Sequence, residues 1–135
     1  MNKEMGLVLL LRCAAMMMLL ALGAVVMPFA WMDIIHRGAG MGPLPDVTII
    51  HYLTRSASAL YAGYGALILF LSFDVRRYRS VIMLNALLGM AFGVVMLVLD
   101  SAVGMPRHWT ACEGPFIIAL SAVLLWLSRG VGSRV

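Results

Sequence analysis

Residues 98–116 read VLDSAVGMPRHWTACEGPF, and two acids, Asp100 and Glu113, stand there at the edges of long apolar runs. Upstream, His51 and Arg55 are four residues apart, a spacing that puts both on one face of a helix. A guanidinium and carboxylates in apolar surroundings suit two kinds of chemistry. They close a structural ion pair, or they hold the anionic or carbonyl oxygen of a ligand. Which of these applies depends on the elements that carry them.

Those elements are apolar throughout. The chain has 135 residues, 63% hydrophobic and 12% charged. An ordinary soluble domain is about half apolar and about a quarter charged, so the surface here must be greasy as well as the core. A hydrocarbon core about 30 Å thick needs roughly 20 residues of helix. Four runs approach that length: Cys13–Trp31, Ser56–Phe73, Val81–Leu99 and about Thr110–Leu127. Helices are the open-chain way to satisfy every backbone group in lipid. The expected fold is therefore an all-α integral membrane protein, a single four-helix membrane domain over residues 1–135. The first run is longer than a signal-peptide core and lacks a clean small-residue cleavage site, so an uncleaved span is expected.

The charges orient the bundle. Lys3, Arg12, Arg76, Arg77, Arg79, Arg129 and Arg134 fall on one side, against Arg37, Arg55 and Arg107 on the other. Positive-inside bias puts both termini and the 74–80 loop in the cytoplasm, in a multi-pass protein of the cell membrane. The net charge of +4 is thus a topology signal, with contact to anionic lipid as a second use; no nucleic-acid partner is expected. Trp31, Tyr52 and Trp109 would line the outer interface, and Tyr78 and Trp126 the inner one. Cys13 and Cys112 begin spans on opposite sides and cannot pair.

Local signals mark the ends of the spans. The segment DIIHRGAGMGPLPD reads as an outer loop whose glycines and prolines forbid a long helix. Asp46 suits a cap for the next helix, which starts near Val47, and Ser80 a cap for the third span. Gly104 and Met105-Pro106 read as a helix stop and turn. Asn85, Gly89 and Gly93 form a stripe that lets a neighbouring backbone approach, within the monomer rather than at a homodimer seam.

This topology gathers His51, Arg55, Asp100 and Glu113 near the outer leaflet, and they are the candidate ligand-binding residues. The acids are not equivalent. Thr110-x-x-Glu113 fits a capping box, and the helix dipole favours a carboxylate near an N-terminus. Yet from Glu113 to Leu127 a helix rises only about 21 Å, which leaves Glu113 inside the apolar slab, with Pro115 beside it to free a carbonyl. Asp100 precedes Gly104 in the last turn of its helix, where the dipole disfavours negative charge. It needs a cation or a proton, and Arg55, at a similar depth, is the expected partner. The pair is a clasp, or it binds an anion, a lipid head group or a quinone carbonyl. No catalytic triad, HExxH, phosphate loop or tight metal-ligand spacing is present, so no catalytic residue, metal site or cofactor is assigned.

The stretches LTRSASALYAGYGALILFLSFDVRRYR and VLDSAVGMPRHWTACEGPF resemble small four-span membrane proteins of the DoxX-like superfamily, in its uncharacterised branches. The resemblance rests on Arg55, Tyr61, Gly65, Asp100, Gly104, Pro106 and Glu113 and covers roughly the last 75–80 residues. It implies a four-helix bundle and an association with membrane redox systems, not a catalytic activity. The expected role is accessory: small-molecule or lipid binding through an outer-leaflet polar pocket, by a non-enzymatic protein whose partners are the bilayer and a homo-oligomer or larger membrane complex. A subunit handling quinone or haem, and a lipid-modifying enzyme, are the alternatives.

Overall fold

A computed structural model of the chain describes residues 2–132; Arg134, counted above among the basic residues, lies outside them. The described residues form six α-helices and no strand: α1 Lys3–Leu19, α2 Leu22–Val26, α3 Phe29–Gly38, α4 Thr48–Leu71, α5 Arg79–Val103 and α6 Arg107–Arg129. Three of the expected apolar runs are helical with shifted ends, and the first, Cys13–Trp31, is helical with breaks at Leu20–Ala21 and Met27–Pro28. Three stretches are long and apolar enough to cross a membrane: Lys3–Val26, Arg79–Val103 and Arg107–Arg129. The 24-residue α4 matches them in length, but Thr48, His51, Thr54, Arg55, Ser56 and Ser58 make its first half more polar.

The first span differs most from expectation. The stretch long and apolar enough to cross a membrane runs Lys3–Val26, where the sequence suggests Cys13–Trp31. A turn at Leu20–Ala21 separates α1 from α2, where Ala21, Gly23 and Ala24 donate to carbonyls three residues back. Pro28 ends α2, because the residue before a proline is pushed out of the helical region. Met27 is accordingly extended, with φ −63° and ψ 136°. Beyond it α3 joins the end of the expected first span, residues 29–31, to the start of the expected loop, residues 33–38, and its first turn opens on the Pro28 carbonyl.

The chain divides into two compact units: one joins the stretch up to Leu11 with the described residues from Leu71 on, and the other is Arg12–Phe70. In the first unit α5 and α6 form an antiparallel hairpin. Its turn is built as the sequence predicts. Gly104 takes φ 74° and donates its amide to the Asp100 carbonyl, a left-handed cap that favours glycine. Small residues bring the helices together: a Cβ on Gly93 would stand 2.9 Å from the Gly114 carbonyl, and one on Gly89 would meet the Ser121 side chain. The glycine stripe therefore serves contact within the monomer.

The buried apolar side chains of this unit lie towards one end of its helices. Leu7 and Leu11, Val75, Ile82 and Ala86, and Leu124, Leu127 and Val131 are all buried. Polar ties close the same end. Arg76 grips Glu4 with two bonds of 3.0 and 2.6 Å, Arg79 donates to the Ser128 carbonyl at 2.9 Å, and the Lys3 ammonium sits 4.7 Å from the Trp126 ring centre. The basic 74–80 turn thus anchors helix ends as well as carrying charge. Most large apolar side chains of α5, such as Leu84, Leu88, Val95 and Val98, point outward. In water each would expose surface worth about 1.5–3 kcal/mol if buried; in lipid the penalty disappears.

In the unit Arg12–Phe70, the second half of α1 approaches α4 at Gly65, where a Cβ would meet the Ala15 carbonyl at 3.0 Å. Ala15, Met32, Ala62 and Ile68 are buried here. Two carbonyl- and amide-binding side chains fold the 39–44 segment back onto α3. His36 donates from Nδ1 to the Gly42 carbonyl at 2.8 Å, and Asp33 accepts the Leu44 amide at 2.8 Å.

Candidate functional site

Arg55 and His51 lie one turn apart on α4 and line one open groove of about 450 Å³, with Thr48, Tyr52, Ser56 and Val25. The break at Pro28 explains how Arg55 is held. A helix end leaves carbonyls without intrahelical partners, and Arg55 Nη2 donates to the Met27 carbonyl at 3.3 Å. Its Nε is buried and has no hydrogen-bond partner. His51 is fixed from two sides. Its Nε2 donates to Asp46 Oδ1 at 2.7 Å, and its ring lies 4.6 Å from that of Phe29. Asp46, expected as a helix cap, instead orients the histidine.

The groove therefore offers a guanidinium, an imidazole and the hydroxyls of Thr48, Ser56 and Tyr52 against apolar walls. The Ser56 hydroxyl already donates to the Leu53 carbonyl at 3.2 Å, but a guanidinium beside hydroxyls suits an oxyanion or a carbonyl oxygen. A buried N–H without an acceptor costs about 1–3 kcal/mol, so the arrangement favours a species that supplies one.

Asp100 and Glu113 belong to the other unit. Asp100 is 3% exposed, and its Oδ2 has no hydrogen-bond partner. Its backbone carbonyl is the acceptor for both Gly104 and Met105. The two members of the expected clasp, Arg55 and Asp100, thus lie in different units, and each keeps one buried polar atom unpartnered.

Glu113 is not part of a capping box. Pro106 stands at the N-cap of α6 with no side-chain cap, and the helix starts at Arg107. Proline's fixed φ suits a helix entrance, and starting there moves Thr110 and Glu113 inside the helix. Thr110 donates instead to the Pro106 carbonyl at 3.5 Å, and Glu113 accepts a bond from the indole N–H of Trp109, one turn back. Glu113 and Trp109 share a shallow face of α6 with Cys112 and Phe116. Ser80 is likewise no cap, since α5 begins at Arg79 behind Tyr78.

The sequence signalled the His51–Arg55 face by its i,i+4 spacing but not the partners of these two residues: the Met27 carbonyl and Phe29, on either side of the α2–α3 break, and Asp46, just before α4. Among the described residues no three His, Cys, Asp or Glu side chains gather as a metal site. Compared with known proteins, the chain matches no family model, no curated protein and no solved structure.

Proposed function

We propose that this chain is a four-span protein of the cell membrane with both termini cytoplasmic, and that it binds the oxygen-bearing head of a lipid or small molecule at the Arg55–His51 groove. In this reading α4 is the second span. Its polar first half lies near the outer interface, where Arg55 and the groove meet head groups, and its second half, ending ALILFL, crosses the apolar slab. The DoxX-like resemblance and the role of accessory protein in a larger membrane assembly belong to the same proposal, as do Asp100 and Glu113 as secondary candidates on the other unit.

The observation that carries the reading is the unpartnered, buried Nε of Arg55 in a groove rimmed by hydroxyls. Native mass spectrometry of the protein released from mild detergent tests it. The wild type retains a lipid or quinone adduct, Arg55→Lys weakens retention by losing the planar fork, and Arg55→Leu abolishes it. Equal adducts on all three proteins would sink the proposal. A quinone is the second reading, because its carbonyl also accepts from a guanidinium; the adduct's mass separates the two, and a visible absorption spectrum tests for haem.

A further inference from the structure

The ten residues of α3, of which residues 33–38 were expected as loop, have their polarity turned inside out. At 100° per residue, Ala30, Ile34, Gly38, Trp31 and Ile35 share one arc. Trp31, Ile34 and Ile35 on it are 62%, 66% and 59% exposed. The opposite arc carries the buried Met32 together with Asp33 and His36, which face the 39–44 segment and hold it through the Leu44 amide and the Gly42 carbonyl. A helix standing in water would present the acid and the imidazole outward and cover the tryptophan and isoleucines.

The first span fixes where this apolar arc can be. Val26, its last residue, is 81% exposed. Only Met27 and Pro28 separate it from α3, and the three steps from Val26 to Phe29 reach at most about 10 Å. The helix therefore starts within about 10 Å of the point where the span ends. Arg37 stands at the edge of the arc, tied to Asp33 at 2.8 Å, at the level where lipid phosphates lie. An apolar face with Trp at its centre and a cation at its rim is the pattern of a helix seated in the interface.

We infer that α3 lies in the membrane–water interface, with Trp31, Ile34 and Ile35 sunk into the acyl boundary and Arg37 among the head groups. The inference rests on the membrane reading above and goes beyond it, because it makes the segment after the first span a lipid-bound element rather than a solvent loop.

Tryptophan fluorescence in phosphatidylcholine vesicles tests it, using single-tryptophan proteins. Trp109→Phe with Trp126→Phe leaves Trp31, and Trp31→Phe with Trp109→Phe leaves Trp126 as the control. Trp31 is expected to emit blue-shifted light and to lose more intensity to lipids brominated near the head of the acyl chain than to lipids brominated near its methyl end. Aqueous iodide should quench it little, and the result should not change with lipid-to-protein ratio. If Trp126 is quenched by brominated lipid while Trp31 answers only to iodide, the inference fails and the membrane reading stands. If neither answers to lipid, both fail. If Trp31 answers to neither quencher until the lipid-to-protein ratio is raised, a second copy covers the face and the inference is overturned. Should a double variant not fold, the difference between wild type and Trp31→Phe reads the same signal.

Discussion

Replacing Gly93 by alanine should force α5 and α6 apart. The added Cβ would stand 2.7 Å from Ile118 Cγ1, 2.9 Å from the Gly114 carbonyl oxygen and 3.1 Å from the Ile118 amide nitrogen. The isoleucine tip can rotate away. The carbonyl and amide belong to the backbone of α6 and move only with the helix. Ordinary contact lies at about 3.5 Å or more, so α6 must retreat by roughly half an ångström, and such a gap already forfeits about a quarter of the attraction between facing atoms. Overpacking of this kind costs about 1–3 kcal/mol. Alanine is also the better helix former, by about 1 kcal/mol, which would mask part of the loss. Gly63, inside α4 with nothing within 4 Å of an added Cβ, supplies the reference, because the propensity gain is common to both sites. Unfolding both variants in detergent by titration with sodium dodecyl sulfate, followed by helical circular dichroism, isolates the steric part. Gly93→Ala should lie about 1–3 kcal/mol below Gly63→Ala. Gly114→Ala should reproduce the loss, since its Cβ meets the Gly93 carbonyl at 2.8 Å, and the double variant should cost less than the sum. Equal stability of Gly93→Ala and Gly63→Ala would refute the close contact of these backbones.

The Leu44 amide, and then Arg37, hold the Asp33 carboxyl below its ordinary pKa. A depressed folded-state pKa stabilises above the ordinary carboxylate value of about 3.9, and that stability is lost as pH falls through the lowered folded value. The protection of the Leu44 amide against hydrogen exchange, relative to the intrinsic rate at each pH, should therefore hold from neutral pH down to about 4 and fall below it, and Asp33→Asn should remove this pH dependence. Glu113→Gln keeps an acceptor for the Trp109 indole, so a purely structural Glu113 predicts a stability change of a few tenths of a kcal/mol; a loss of lipid adduct at unchanged stability would assign it to binding instead. A membrane-impermeant maleimide should label Cys112, near the start of α6, only from the outer face of sealed, intact cells; labelling only in inverted vesicles would reverse the proposed orientation.

Composition by itself determined the kind of molecule. A chain so apolar suits surroundings in which the backbone must hydrogen-bond itself, and the long apolar runs are mainly helical, the first of them broken at Leu20–Ala21 and Met27–Pro28. The α5–α6 turn was also legible, because Gly104 suits a left-handed conformation and Met105-Pro106 cannot continue the helix. So was the shared face of His51 and Arg55, which depends only on helical spacing. What tertiary structure decided lay where two local signals competed or where partners are distant in sequence. Thr110-x-x-Glu113 matched a capping box, but Pro106 started the helix earlier and spent Glu113 on Trp109. Gly and Pro suggested a loop after the first span, yet Trp31, Ile34 and Ile35 at helical spacing prevailed once Asp33 and His36 could close the 39–44 segment onto their own helix. Arg55 finds the Met27 carbonyl 28 residues away, and Arg76 finds Glu4 72 residues away. No local pattern encodes such contacts, because they exist only after helix breaks and turns have brought the chain back upon itself.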